Sequence, residues 1–378
     1  MRSAWLEIDL EALAHNWRLI RERAEGKAVI PVLKADAYGH GALFLARFLH
    51  EKGARWVAVA RVAEGRALRQ GGFKGEVLLL GSLHPLEAEE ALNWGLVPSL
   101  STWEGALALF HRAKALGLPP RAHLEVDTGM HRTGVDWREA AAFYRRLEEL
   151  GFWVEGVYTH LSSAEEDPAF TRLQIQRFQE VQRALGKGPL YHLENSAGLF
   201  LYGPSAQGVR VGLALYGLFP GVGLRPVLRL KARPTQVRRL EKGARVGYGG
   251  EYVAQGGEWL ATLPVGYADG LPRGHARWVR GPDGDLLPIV GRISMDQITV
   301  RLKEPVGLDA VFEVIGQEGK TSLLALAEAR GTIVYEAATS LKRLPRLYRM
   351  GGGVVYAEED AGGAAFSGLP LAPPGDGV

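Results

Sequence analysis

The stretch Val29-Ile30-Pro31-Val32-Leu33-Lys34-Ala35-Asp36-Ala37-Tyr38-Gly39-His40-Gly41 decides how this chain is read. Residues 29–33 form a short apolar run, the mark of a buried strand. Lys34 ends it, Tyr38 follows four residues later, and glycines then open a helix-forming stretch. A lysine at a strand end can hold its amine in a pocket. There desolvation or a nearby cation lowers its pKa and frees a nucleophilic amine. A snorkelling surface lysine is the commoner fate of any single lysine. The neighbours must decide between the two.

Working outward, the strand-then-helix unit repeats. Apolar, partly β-branched runs fall at 29–33, 56–60, 77–80, 96–100, 123–127, 154–160, 190–194 and 209–212. Helical patterns lie between most of them, as at 102–116, 137–150 and 170–185. The alternation predicts an N-terminal (β/α)8 barrel in an α/β chain. An open doubly wound sheet shares that alternation. From about residue 227 long helices give way to short alternating segments at 227–232, 260–267, 277–280, 289–291, 297–302 and 311–315. Gly-Pro, Asp-Gly and Gly-Gly turns divide them, which predicts a mainly β C-terminal domain with one helix at 322–330. The expected division is a first strand at 1–10 joining the β domain, a barrel over 11–225, the β domain over 226–360, and a flexible tail over 361–378.

Bulk properties agree. The 378 residues suit two domains. Forty-five basic and 42 acidic residues give a formal charge of +3, without a Lys/Arg block, which argues against a nucleic-acid surface. The absence of cysteine excludes disulfides, thiolate metal sites and a cysteine nucleophile. No His/Asp/Glu cluster has metal-ligand spacing, so no catalytic metal is expected. Met1-Arg2-Ser3-Ala4-Trp5-Leu6-Glu7 lacks a signal-peptide core, and no apolar run approaches the roughly 18 residues of a membrane span. A soluble, cytoplasmic protein is expected.

Barrel enzymes draw catalytic groups from the C-terminal ends of their strands. Lys34 ends the first predicted strand, and Asp127-Thr128-Gly129-Met130-His131-Arg132 follows the fifth. His160 ends the sixth and Asn195-Ser196 the seventh, while Arg210-Val211-Gly212 lies in the eighth. Each has a plainer reading. His160 fits a satisfied core histidine, Asn195-Ser196 a helix cap, Arg210 a structural ion pair, Gly212 relief of crowding, and Arg132 a solvated side chain. Together they could serve one anionic ligand. Tyr38, Ser196 and the Leu213 N–H could bind a phosphate. Arg210, always charged, could donate to a ring nitrogen but never accept its proton.

These segments resemble those of alanine racemases. The likeness extends over Tyr158-Thr159-His160, Asn195-Ser196-Ala197, Leu215-Tyr216-Gly217 and Val265-Gly266-Tyr267-Ala268-Asp269-Gly270. Gly291-Arg292-Ile293-Ser294-Met295-Asp296-Gln297 and Ile333-Val334-Tyr335-Glu336 match as well. It implies a pyridoxal 5'-phosphate (PLP) enzyme that interconverts L- and D-alanine for cell-wall precursors, working as a homodimer with shared active sites. By that likeness Lys34 carries PLP and is one catalytic base. Tyr267, from the other subunit, is the second. Arg132 bonds the cofactor's phenolic oxygen and seats the substrate carboxylate with Met295. Arg210 bonds the pyridine nitrogen, with His160 and His192 behind it. Tyr38, Ser196, Gly212, Leu213 and Tyr335 hold the phosphate, and Arg292 and Asp296 shape the entrance. Glu125 departs from the pattern, standing where several relatives carry a carbamylated lysine; it is expected to pair with Arg132, directly or through a water. A racemase of broader specificity, a serine racemase and a non-catalytic PLP-binding protein are the competing readings.

Overall fold

The computed structural model describes residues 3–273 and 278–350, and the backbone of strands at 354–359 and 366–367. Eight parallel strands form the N-terminal half: β2 (Ala28–Pro31), β3 (Trp56–Val59), β4 (Glu76–Ser82), β5 (Val97–Leu100), β6 (Arg121–Asp127), β8 (Trp153–Tyr158), β9 (Leu190–His192) and β10 (Gly208–Val211). A two-residue strand, β7 (Val135–Asp136), pairs with β6. The sheet runs β2-β10-β9-β8-β6-β5-β4-β3. It closes where Val32 bridges Ala58 and the Leu33 N–H donates to the Ala58 carbonyl at 2.7 Å. Closure makes this the barrel and excludes the open sheet. Its strands read as continuous apolar runs because both faces are covered; β3, β5 and β10 are buried at every residue.

Local chemistry starts the surrounding helices. Asp9 caps Leu10–Arg23, Thr102 caps Trp103–Leu116, and Asp167 caps Pro168–Leu185. The helix expected over 137–150 begins only at Ala140.

The first strand, β1 (Ala4–Asp9), leaves the barrel and joins the C-terminal sheet. It lies antiparallel to β11 (Leu228–Ala232) and parallel to Arg346–Met350. A separate three-stranded sheet joins Gln236–Arg239, Trp259–Leu263 and Ile298–Leu302. The strand expected over 260–267 stops at Leu263. Beyond it Gly266 approaches so near the carbonyls of Ser294 and Met295 that any Cβ would clash, and a tight turn, Tyr267–Asp269, follows. The segment expected over 289–291 contributes only an isolated bridge, Ile289 to Val300, while the neighbouring strand is Leu286–Pro288. Residue 277 lies outside the described residues, as does the tail expected over 361–378 apart from the pair Phe366–Ser367.

The two halves share one apolar core. Tyr348 of the β domain stacks on Phe44 of the barrel with ring centroids 3.9 Å apart. That seam lies directly behind the Lys34 segment, so the β domain helps to shape the barrel mouth.

Candidate active site

Lys34 opens an unusual turn. Ala35, Asp36, Ala37 and Tyr38 all have φ near +55°, a left-handed conformation that costs L-residues roughly 1–2 kcal/mol each. Tertiary bonds hold it. The Ala35 N–H donates to Glu64 at 2.7 Å, and Glu64 also takes the N–H groups of Ala60 and Arg61. Asp36 accepts from the Ala42 N–H and pairs with Arg346. The Arg346 Nε donates to the Gly39 carbonyl at 3.0 Å. Strain of this kind gathers where a side chain must be aimed. Here it turns Lys34 and Tyr38 into the barrel mouth.

The Lys34 amine is held below its ordinary pKa, first by burial and then by the charges of Arg132 and Arg210, against Glu64. The effect is a larger share of neutral, nucleophilic amine at neutral pH. Tyr38 is buried, its ring 5.0 Å from that of Tyr216 and 5.9 Å from that of Tyr335. Burial also pushes the Tyr335 phenol up to about 12. A Cβ added at Gly212 would come within 2.7 Å of the Tyr38 hydroxyl. The Ser196 Oγ accepts from the Gly212 and Ala214 N–H groups at 3.2 and 3.1 Å. Asn195 is a helix cap, its side chain accepting from the Gly198 N–H. Tyr38, Ser196, Gly212 and Leu213 thus meet at the end of β10, with Tyr335 beside them.

Arg210 is buried without a carboxylate partner among the described residues. It donates to the carbonyl of Thr159 at 2.7 Å, to that of His192 at 3.0 Å, and to His192 Nδ1 at 2.9 Å. Carbonyl oxygens and imidazoles solvate this cation in place of an anion. His160 Nδ1 lies 3.4 Å from its Nη2. Desolvation and the charges of Arg210, Arg132 and Lys34 push His160 down to about 3. The imidazole beside Arg210 is neutral.

Arg132 sits on an exposed loop whose ends are fastened. Asp127 accepts from the Gly129 and His131 N–H groups at 2.8 and 3.1 Å. On the other side the Thr133 hydroxyl donates to Glu125 at 2.9 Å. Among the described residues Glu125 and Arg132 form no direct ion pair. Glu125 is buried inside the barrel, and the shorter Thr133 side chain, next along the loop, reaches it first. Burial raises the Glu125 pKa, opposed by Thr133, Arg210 and Arg132.

Tyr267 and Met295 lie apart from this cluster. Read as ordinary β-domain residues they would be core; instead they are 40% and 54% exposed. The Tyr267 and Ala268 N–H groups donate to the Ser294 and Met295 carbonyls, so the two side chains emerge from adjoining backbone. Arg343 pairs with Asp296, and Arg292 with Glu251, on the same domain.

Several positions escaped the sequence reading. Glu64 stands three residues after Arg61 at a helix start, where it takes the Ala60 and Arg61 N–H groups, and nothing in the sequence marks its third bond, to Ala35. Arg346 and His123 carry no motif.

A strand-end lysine, a cluster of Tyr38, Ser196 and Gly212, and a buried arginine on one barrel mouth find their counterpart among known proteins. The model of the alanine racemase N-terminal domain matches residues 8–220, and that of the C-terminal domain matches 227–348. The chain belongs to the alanine racemase family. It is 38% identical to the alanine racemase of Carboxydothermus hydrogenoformans, over 92% of this chain and 100% of that one. The alanine racemase of Symbiobacterium thermophilum is 39% identical, over 92% and 97%. The solved alanine racemase of Clostridium difficile 630 superposes with a TM-score of 0.89 at 31% identity, covering 96% and 99%. Alanine racemases are PLP-dependent isomerases, and alanine racemisation is the activity of this chain. The residues fit that cofactor. Gly212 leaves room beside Tyr38 that a Cβ would fill, and Ser196 adds a hydroxyl. Arg210 offers donors to a ring nitrogen, and Lys34 an amine of lowered pKa. No described helix is long and apolar enough to cross a membrane.

Proposed function

We propose that Lys34 and Tyr267 of a partner subunit are the two proton-transferring groups that invert alanine. The observation that carries this is the Lys34 amine, desolvated and flanked by Arg132 and Arg210. When bound, PLP supplies an electron-withdrawing ring that spreads negative charge from the substrate Cα. Lys34 anchors the cofactor and takes or returns the Cα proton on one face. A two-way inversion needs a second group opposite, and Tyr267 fills that role. Arg132, on its fastened loop, seats the substrate carboxylate together with Met295 of the partner subunit. Arg210 directs N–H donors at the ring nitrogen without supplying a full proton. Tyr38, Ser196, Gly212, Leu213 and Tyr335 hold the phosphate, and His160 packs behind Arg210.

Support for a shared site comes from exposure. Tyr267, Met295 and Ile333 are large apolar side chains left 40%, 54% and 64% exposed. A second copy related by a two-fold axis would cover them and build two equivalent sites. A cytoplasmic location goes with this role, because cell-wall precursors that consume D-alanine are built there. The division is a first strand at 1–10, a barrel over 11–225 and a β domain over 226–360; the bonding of β1 to β11 supports the assignment of the first strand to the β domain.

The test mixes Lys34→Ala and Tyr267→Phe protomers, each nearly inactive alone. A heterodimer then carries one doubly damaged and one intact site, and activity partly returns. No recovery in proven heterodimers places Tyr267 in cis or outside the reaction. Borohydride must fix the cofactor to the Lys34 peptide. A panel of L-amino acids, serine included, then measures breadth.

A further inference from the structure

Behind Arg210 lie two buried imidazoles whose proton positions can be deduced. A guanidinium only donates. Arg210 Nη1 lies 2.9 Å from His192 Nδ1, so that nitrogen accepts. Neutral His192 therefore carries its proton on Nε2. His192 Nε2 is 2.8 Å from His123 Nδ1, which must accept in turn. The His123 proton then sits on Nε2, a buried atom with no hydrogen-bond partner among the described residues. Both rings are neutral. Burial and the Arg210 charge push His123 down to about 3 and His192 well below its ordinary value.

A buried polar atom without a partner calls for an explanation. The slot around His123 is apolar and tight. Trp56 meets the ring edge-on at 5.3 Å. Gly156, opposite on β8, leaves its space; a Cβ there would lie 2.5 Å from the ring. An aliphatic side chain would fill such a slot without an orphan N–H. What it could not do is accept from His192.

We propose that His123 is a positioning residue for racemisation. It accepts the His192 Nε2 proton, locks that ring in the tautomer that faces Arg210, and so holds the guanidinium aimed at the cofactor nitrogen. The Tyr158 ring completes the fixture, stacked on His192 at 4.8 Å with Arg210 over its face. The proposal rests on the reading of Arg210 as the partner of that nitrogen.

The test compares His123→Asn with His123→Leu in the holoenzyme. The two replacements are close in size, but only the amide oxygen of Asn can accept near the Nδ1 position. His123→Leu should raise the PLP dissociation constant and lower kcat by about tenfold each, the effect of one lost buried hydrogen bond. It should leave KM nearly unchanged and shift the absorption band of the bound cofactor. His123→Asn should recover most of both losses. Nitrogen NMR of the unaltered holoenzyme should show both rings protonated at Nε2. If His123 merely fills space, the order reverses, because Leu suits the apolar slot better than Asn. That reversal, a wild-type spectrum in His123→Leu, or an Nδ1-protonated His192 overturns the proposal. Arg210→Gln separates the premise: an unaltered cofactor band in that variant overturns the reading of Arg210 itself. A perturbed band there beside an unperturbed His123→Leu overturns this proposal alone.

Discussion

Arg346, on a β-domain strand, is ion-paired with Asp36, two residues beyond Lys34. The guanidinium is buried, and its Nε also holds the Gly39 carbonyl. One side chain therefore ties the C-terminal domain to the left-handed turn that aims the lysine. Arg346→Ala leaves that carbonyl and a partly solvated carboxylate without this donor. The expected loss is roughly 2–3 kcal/mol in urea denaturation, below the range for a fully buried pair because Asp36 is partly exposed. PLP retention should fall as well. Unchanged stability would show that the turn is held by Glu64 alone.

Gly212 carries a second prediction. Its φ lies outside the left-handed region, so alanine is tolerated by the backbone. The obstacle is steric: the new methyl would sit 2.7 Å from the Tyr38 hydroxyl, and Tyr216 and Tyr335 flank that ring. Gly212→Ala should bind PLP at least about tenfold more weakly while melting near the parent temperature, since displacing one phosphate-binding hydroxyl is worth of order 1–3 kcal/mol. Equilibrium dialysis against PLP reads the first, calorimetry the second. An unchanged dissociation constant removes Tyr38 and Gly212 from the cradle.

The barrel was legible because parallel strands covered on both faces leave continuous apolar runs, and the polar residues ending them stand out against that background. Lys34, His160, Ser196 and Arg210 could be picked for that reason. The conformation of 35–38 could not. Ala, Asp, Ala and Tyr mark no left-handed turn; it exists because Glu64 and Arg346, distant in sequence, bind its backbone and its aspartate. The sequence pairs Glu125 with Arg132, but nothing local distinguishes Arg132 from Thr133 as the side chain that reaches it. The strand expected over 260–267 ran too long because Gly266 ends it through contact with residues 294–295.

Acid should weaken the fold through its buried imidazoles. Burial holds His40 at about 4 and His123 at about 3, against an ordinary 6.5. As pH falls, the unfolded chain takes up these protons first. Stability is therefore full above about pH 6.5, declines as pH drops through that value, and levels off only below about 4 and 3 respectively. Each imidazole contributes a slope of about 1.4 kcal/mol per pH unit inside its window. Urea midpoints should hold down to about pH 6.5 and fall steadily from there to pH 5, and His123→Leu should make that fall shallower. Midpoints independent of pH over that range would mean these rings are charged or solvated in the folded state.

Glu125 is bonded to Thr133, the residue next to Arg132, and that bond can be cut at either end. The Thr133 hydroxyl donates to Glu125, while Asp127 takes the His131 N–H, so the loop is fastened on both sides of Arg132. Glutamine at 125 still offers a carbonyl oxygen to Thr133, whereas leucine offers none. Glu125→Gln should therefore cost only a few-fold in kcat/KM. Glu125→Leu and Thr133→Val should each cost about tenfold, the scale of one buried hydrogen bond that positions a substrate-binding group. Because both remove the same bond, their double variant should lose little more than either alone. Activity should also be indifferent to added bicarbonate, since glutamate has no amine to carbamylate. Steady-state kinetics on the four enzymes decides it. Additive losses, or a Glu125→Gln defect as deep as that of Glu125→Leu, would mean that the glutamate works through its charge on Arg132 and not through the threonine.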